Sequence, residues 1–195
     1  MSMWLTKDSL VALDPDTRAF TLVGGFMGFF ALLEVGINEA VSNVLEIKGI
    51  RSAIVTRNMS FDDKIKTLRA LVDAFIHDKE QVRAFDDLAK RARKCGETRN
   101  IVAHTPFRRS PNSDGVEFFA TSANAKFKYL EMDWPIDEFL RQIENINEID
   151  NGLRSIGTRM SIQRIAQALL EGPAPNQASE KAFGGLFGLG KLLED

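Results

Sequence analysis

The chain has 195 residues, 44% of them apolar and 27% charged, with a formal net charge of −2, which fits one soluble globular domain and excludes wholesale disorder or a multispanning membrane protein. The near-neutral charge also excludes bulk coating of nucleic acid, so any RNA contact has to come from a local basic cluster. One cysteine and two histidines exclude an intrachain disulfide and a cysteine-rich zinc site, and no structural metal is expected.

The first residues, Met1 to Asp8, lack the basic start and apolar stretch of a signal peptide, and with the free Cys95 this predicts a cytoplasmic protein. From about Asp16 to Ile47 apolar residues recur at helical spacing. Met27, Phe30, Ile37, Val41 and Val44 form one stripe, with Phe29, Leu33 and Ala40 beside it, which predicts one long helix. Its uncharged stretch, Ala19 to Leu33, is shorter than the roughly 20 residues a spanning helix needs and reads as buried core. Gly24, Gly25, Gly28 and Gly36 lower helix propensity, so packing must hold this segment. Close approach of a neighbouring helix is one reason to keep them, and a kink or break is expected near Gly24.

Lys48 to Met59 is poorly periodic. Ser60 and Asp63 then resemble a capping box that opens a helix with Ile65, Leu68, Val72 and Phe75 on one face. A break near His77 and Asp78 precedes a third pattern, Phe85, Leu88, Ala92, Cys95, Arg99 and Val102, which runs to about His104 before Pro106 disfavours further helix. Pro111 to Gly115 marks an exposed turn. Val116 to Thr121 and Phe127 to Met132 are short and β-prone, and Ser122, Ala123, Asn124 and Ala125 between them predict a small β-hairpin within 116–132. Pro135, with Asp133 as cap and Asp137 and Glu138 in the first turn, begins the last long helix. Phe139, Ile143, Ile146, Leu153, Ile156 and Met160 mark its buried side, and it is expected to reach Leu170 with bends at Gly152 or Gly157.

These elements predict a mainly α fold, an antiparallel helical bundle of about four to five helices with a small β-hairpin insertion before the last long helix, as one domain over residues 1–171. Residues 172–195 read as a flexible C-terminal tail. Phe183, Leu186, Phe187, Leu189, Leu192 and Leu193 within it fit a frayed terminus first, and a docking peptide or membrane-touching tail second.

Arg99 breaks the third pattern, a guanidinium where an apolar residue is expected. Arginine keeps its proton, so burying it requires a carboxylate, phosphate or water opposite. Glu34, equally out of place on the stripe of the first helix, is the expected partner. Such a pair either fixes helix register or holds a cation for chemistry. Asn100 and His104 lie four apart on one side of the helix, with Arg99 flanking them. His104 falls at the predicted helix C-terminus, where the dipole favours the imidazolium and so a general acid. Arg99 suits a phosphate and the charge of a pentavalent transition state, while His104 suits the proton of a 2′-hydroxyl or of the leaving oxygen.

The run Arg99-Asn100-Ile101-Val102-Ala103-His104 resembles the R-x4-6-H motif of HEPN domains, in which a polar residue commonly follows the arginine. The resemblance extends over the helices from about Asp16 to His104 and the return helix after Trp134, although only the six-residue motif is specific. It implies a homodimer in which two motifs meet across a helical interface as one composite site for metal-independent endoribonuclease action. RNA is then the substrate and no cofactor is needed, with Arg99, Asn100 and His104 catalytic, Glu34 supporting, and products ending in a 2′,3′-cyclic phosphate and a 5′-hydroxyl. It also implies a role as a toxin or antiviral effector under a regulatory or antitoxin protein. The hairpin and the tail depart from the compact toxins of that family. The alternative is a non-catalytic helical interaction module whose motif helix is a dimer or partner surface.

Arg91, Arg93 and Lys94 precede the motif and Arg108 and Arg109 follow it, either to guide RNA phosphates or as solvated charge. His77 reads as a surface or capping residue, and Cys95 as core. Phe118, Phe119, Phe127 and Tyr129 read as packed strand aromatics, or as base-stacking residues where exposed.

Overall fold

A computed structural model describes residues 6–122 and 128–171 of the chain. The fold is mainly α, with six helices and a small three-stranded antiparallel sheet before the last helix among the described residues. In order these are α1 (Lys7–Val11), α2 (Pro15–Val44), α3 (Gly49–Arg57), α4 (Phe61–Phe75), α5 (Lys79–His104), β1 (Phe107–Arg109), β2 (Val116–Ser122), β3 (Lys128–Trp134) and α6 (Ile136–Glu171). The expected turn residues Ala123, Asn124 and Ala125, Phe127, and the tail 172–195 lie outside the described residues, as do the side chains of Tyr129, Ile156 and Met160.

α2 is the spine of the bundle. Asp14 caps it by accepting the Thr17 N–H at 3.0 Å, and Pro15 occupies the first position, where no donor is missed. Ala19, Leu22, Phe26, Phe30, Leu33, Ile37 and Val41 recur every three or four residues and are buried. Each large side chain so buried contributes about 1.5–3 kcal/mol. Met27 and Phe29 are only partly buried and pack at the edge of that core. The helix runs unbroken through Gly24, where a kink or break was expected, because Leu22 and Phe26 on either side are both anchored. The close approach expected of the glycines occurs at Gly36, where a Cβ would collide with the Asp150 carboxylate of α6. It does not occur at Gly24 or Gly28, which have no atom within 4 Å of a Cβ. By length and composition α2 is able to cross a membrane: its most apolar window has a mean hydropathy of 1.9, and 33% of that window is buried.

The partners of α2 are α6, α4 and α5. α6 runs beside α2 in the same direction, with Trp134 just ahead of it packed on Phe26 and Arg154 reaching Glu39 further along. α5 runs antiparallel to α4, as the Arg69–Asp86 and Arg93–Asp62 pairs require, and antiparallel to α6, where Arg91 meets Glu148 and Cys95 meets Asn145. α3 occupies the poorly periodic stretch; only Thr56 of it is buried, and a helix without a core face leaves no period to read. Ser60 caps α4 by accepting the Asp63 N–H at 3.2 Å, while its hydroxyl bonds the Asp63 carboxylate in place of the return bond of a full capping box. Ile65, Leu68 and Val72 are buried as expected, but Phe75 is 56% exposed. The chain leaves the helix there, and Ile76 turns into the core instead.

The expected hairpin gains a third strand, β1, directly after the α5 helix. Phe107 pairs with Phe118 and Arg109 with Val116, and β2 pairs with β3 from Val116–Trp134 to Ser122–Lys128. The sheet covers one end of the bundle: Phe118 is buried against Trp134 and Phe139, while Phe119 on the opposite face is exposed. Asp133 does not cap α6. It accepts the hydroxyls of Ser110 and Ser113, and the Ile136 N–H goes to Asp114 of the preceding turn at 3.1 Å.

Candidate functional site

The site is built where α5 crosses the start of α4 and the middle of α2. Gly96 permits this, since a Cβ there would stand 2.8 Å from the Phe61 ring. Phe61 packs on Phe30 of α2 at 4.9 Å between ring centroids. One turn further along α5, Arg99 lays its guanidinium over that same Phe30 ring, 4.9 Å from its centroid. A cation–π contact at such a partly exposed place is worth about 0.5–1 kcal/mol. The Arg99 side chain is 25% exposed and donates to the Asn100 Oδ1 at 2.9 Å, so the Asn100 amide NH2 is left as a donor.

Glu34 stands opposite, but its Oε2 is 4.0 Å from Arg99, the outer limit of an ion pair. The close partner of Glu34 is Lys64, whose Nζ donates to Oε1 at 2.6 Å. The expected Arg99–Glu34 pair is therefore present at its outer limit, and Lys64 joins it as the closer partner of the carboxylate. The Lys64 side chain is 5% exposed and has no water to fall back on, whereas Arg99 has Phe30, Asn100 and solvent. Sequence reading missed Lys64, although a signal was present: it lies one turn before Leu68 on the buried face of α4, a lysine in an apolar stripe.

Glu34, Ser60, Arg93, Glu97, Arg99 and Asn100 line a cleft of about 500 Å³. His104 does not line it. Its side chain is exposed on the last turn of α5, four residues beyond Asn100 and so about 6 Å further along the axis. Asn100 and His104 thus share one side of α5, while Arg99, five residues before His104, turns toward the cleft and the imidazole stands in solvent.

Of the flanking basic residues Arg93 lines the cleft with Arg99, and the others lie outside it. Arg91 donates to Asn145 and Glu148 of α6, and Arg93 pairs with Asp62 of α4 at 2.6 Å. Arg108 pairs with Glu117 at 2.6 Å and covers the exposed Phe119 ring, and Arg109 reaches Asp16 at 3.7 Å. Lys94 is exposed. Each engaged arginine therefore ties its own element to a neighbour.

Cys95 is 2% exposed and accepts from the Asn145 amide at 3.1 Å; burial pushes its thiol above the ordinary range, as suits a core residue. His77 is exposed beside the α5 cap Asp78. A larger hollow of about 680 Å³ between α4 and α5 lies away from the motif, its rim tied by Arg69–Asp86 and Lys90–Asp86 pairs. Among the described residues no three of His, Cys, Asp and Glu stand together as metal ligands. No family model, curated protein or solved structure matches this chain.

Proposed function

We propose that this chain is an endoribonuclease of the HEPN type, which cleaves RNA by 2′-hydroxyl attack and works as a homodimer. The observation that carries this reading is Arg99. It is held over the Phe30 ring and bonded to Asn100, while Glu34 stays at 4.0 Å and gives its close contact to Lys64. Its remaining guanidinium donors are free to take a phosphate in the bidentate manner that arginine favours.

A phosphate on Arg99 lies beside the Asn100 amide, with His104 about one turn beyond Asn100 on α5. His104 takes the proton of the 2′-hydroxyl or gives one to the departing 5′-oxygen. The 2′-oxygen bonds to phosphorus as the P–O5′ bond breaks, leaving a cyclic phosphate and a 5′-hydroxyl, and Arg99 offsets the charge of the pentavalent state. In the cell this activity acts as a toxin or antiviral effector restrained by a regulatory protein.

The test is cleavage of a mixed RNA pool in EDTA by the protein and its His104→Ala variant, with end-group analysis. His104 is exposed, so the variant keeps the fold. Cleavage that leaves cyclic phosphate ends and is lost in the variant is the expected result; equal cleavage by both proteins overturns it. One observation favours a second reading, a non-catalytic interaction module: Phe20, Leu32 and Ile50 are large apolar residues exposed by 70%, 53% and 77%. Absence of cleavage by either protein favours that module.

A further inference from the structure

α3 is turned inside out. Its inward side is polar: Ser52 meets the Ser42 hydroxyl of α2 at 2.5 Å, and Thr56, 4% exposed, donates its hydroxyl to the Ser52 carbonyl at 2.9 Å. At about 100° per residue, Ile50 and Ile54 fall on the opposite side, open by 77% and 56%. A surface helix ordinarily turns its apolar residues to the core. The link from α2 runs through Glu46 at φ 57°, a left-handed conformation that disfavours any residue with a Cβ, so the orientation of α3 is reached against a local cost.

Charge follows the same face. Between Glu46 and Asp62 the chain carries Lys48, Arg51 and Arg57 and no carboxylate, whereas the whole chain has a net charge of −2. Arg51 and Arg57 stand three residues to either side of Ile54, about 60° around the helix in each direction. Both are exposed, as is Lys48, and none of the three forms an ion pair among the described residues. Asp62, the first carboxylate beyond them, is taken by Lys66 and Arg93.

A partner for this face has to be anionic and to accept apolar side chains without a matched surface of its own. Two isoleucines and the edge of Val55 offer far less than the roughly 800 Å² a side of a stable protein complex. A strand of RNA matches the cations but gives the isoleucines nothing, and α3 has no aromatic ring on which to stack a base. A lipid surface needs no matched area. Its attraction adds up from apolar residues that enter the acyl boundary and from cations at the phosphates, which long arginine stems reach. We infer that α3 lies flat on a bilayer surface rich in anionic lipid, with Ile50 and Ile54 inserted and Lys48, Arg51 and Arg57 at the headgroups. This contact stands on α3 alone and does not need the endoribonuclease reading.

Sedimentation of the full chain with vesicles of phosphatidylcholine and phosphatidylserine, against vesicles of phosphatidylcholine alone, tests it. The protein is expected to sediment with the first, to be released from them by raised salt, and to stay in solution with the second. Arg51→Gln and Arg57→Gln should each lower the partition coefficient about fivefold, and Ile50→Ser and Ile54→Ser each about tenfold. All four side chains are exposed, so helical circular dichroism is expected to stay unchanged. A chain that ignores both kinds of vesicle, binds both alike, or binds the anionic ones equally well in the isoleucine variants overturns the membrane contact. A parent protein that leaves the vesicles but binds single-stranded RNA, with that affinity lost in the arginine variants, overturns it too and gives the face to RNA.

Discussion

Lys64 offers the sharpest measure of how the site is held. It is 4% exposed, and its ammonium meets Glu34 at 2.6 Å. Lys64→Met keeps the length of the stem and removes the charge. Breaking a buried pair by deleting one partner costs about 3–5 kcal/mol. The Glu34 side chain is 31% exposed, so water takes part of the orphaned carboxylate and the expected loss is about 2–3 kcal/mol. In a chain of this length that lowers Tm by roughly 4–12 °C. Glu34→Gln strands the ammonium, which is 5% exposed, and should cost at least as much. The double variant should lie nearer the wild type than the two losses added, because no buried charge is left unpaired. Urea denaturation of the four proteins measures the cycle. A Lys64→Met protein within about 0.5 kcal/mol of wild type, or two losses that simply add, would refute the reasoning. The variant also bears on the site, since it leaves the Glu34 carboxylate to Arg99 with no competing cation and should weaken phosphate binding.

Gly96→Ala presses a Cβ into the Phe61 ring, itself wedged on Phe30, and should cost about 1–3 kcal/mol in thermal denaturation. Gly115→Ala should cost more, because its Cβ meets the backbone of Trp134 and Pro135, which has nowhere to shift; an ordinary melting curve for either variant contradicts the packing described. Asp14, Asp62, Asp86 and Glu138 are held below the usual carboxylate range by bonds from Thr17, Lys66, Lys90 and Arg141 respectively. Their folded pKa values lie below the unfolded ones of about 3.9–4.3, so their stabilisation is complete above about pH 5 and is lost as pH falls through the folded values. Tm should therefore be flat from pH 7 to 5 and fall steadily below pH 4; a rise in that acid range would contradict the sign.

What was legible in the sequence followed from burial. α2, α4, α5 and the start of α6 each bury one stripe, and those stripes fixed their extent to within a few residues. α3 buries only Thr56, so nothing in its spacing announced it, and β1 is three residues long with two of them exposed. The cap of α6 was assigned to Asp133 by proximity, whereas tertiary contact with Ser110 and Ser113 took that carboxylate and left the task to Asp114. At the site, the breach of pattern at Arg99 and Glu34 was visible, and they do come within 4.0 Å. The stronger competitor, Lys64, required knowing that α4 lies against α2, which no local spacing reveals. Gly96 likewise looks like a weak helix residue until the Phe61 ring is seen beside it.

If the chain binds RNA as proposed, the charge around the cleft constrains that binding. Lys64, Arg93 and Arg99 face Glu34, Asp62 and Glu97, three cations against three carboxylates, so no broad positive field draws a strand in. Arg91, Arg93, Arg108 and Arg109 are already paired, and within the motif itself Arg99 is the cation with donors to give. Each copy should then neutralise about one or two phosphates, and a single-stranded contact changes log K by about −0.7 per phosphate and decade of salt. For two copies the slope should be no steeper than about −3. Fluorescence anisotropy of a labelled RNA with the His104→Ala protein, titrated through a range of NaCl, measures it. Arg91→Ala should lower Tm, by freeing α5 from Asn145 and Glu148, without altering that slope. Arg99→Ala should nearly abolish it. A slope steeper than about −5, or one that survives Arg99→Ala, would place the RNA on the solvated arginines and lysines instead, and would leave the motif without its phosphate.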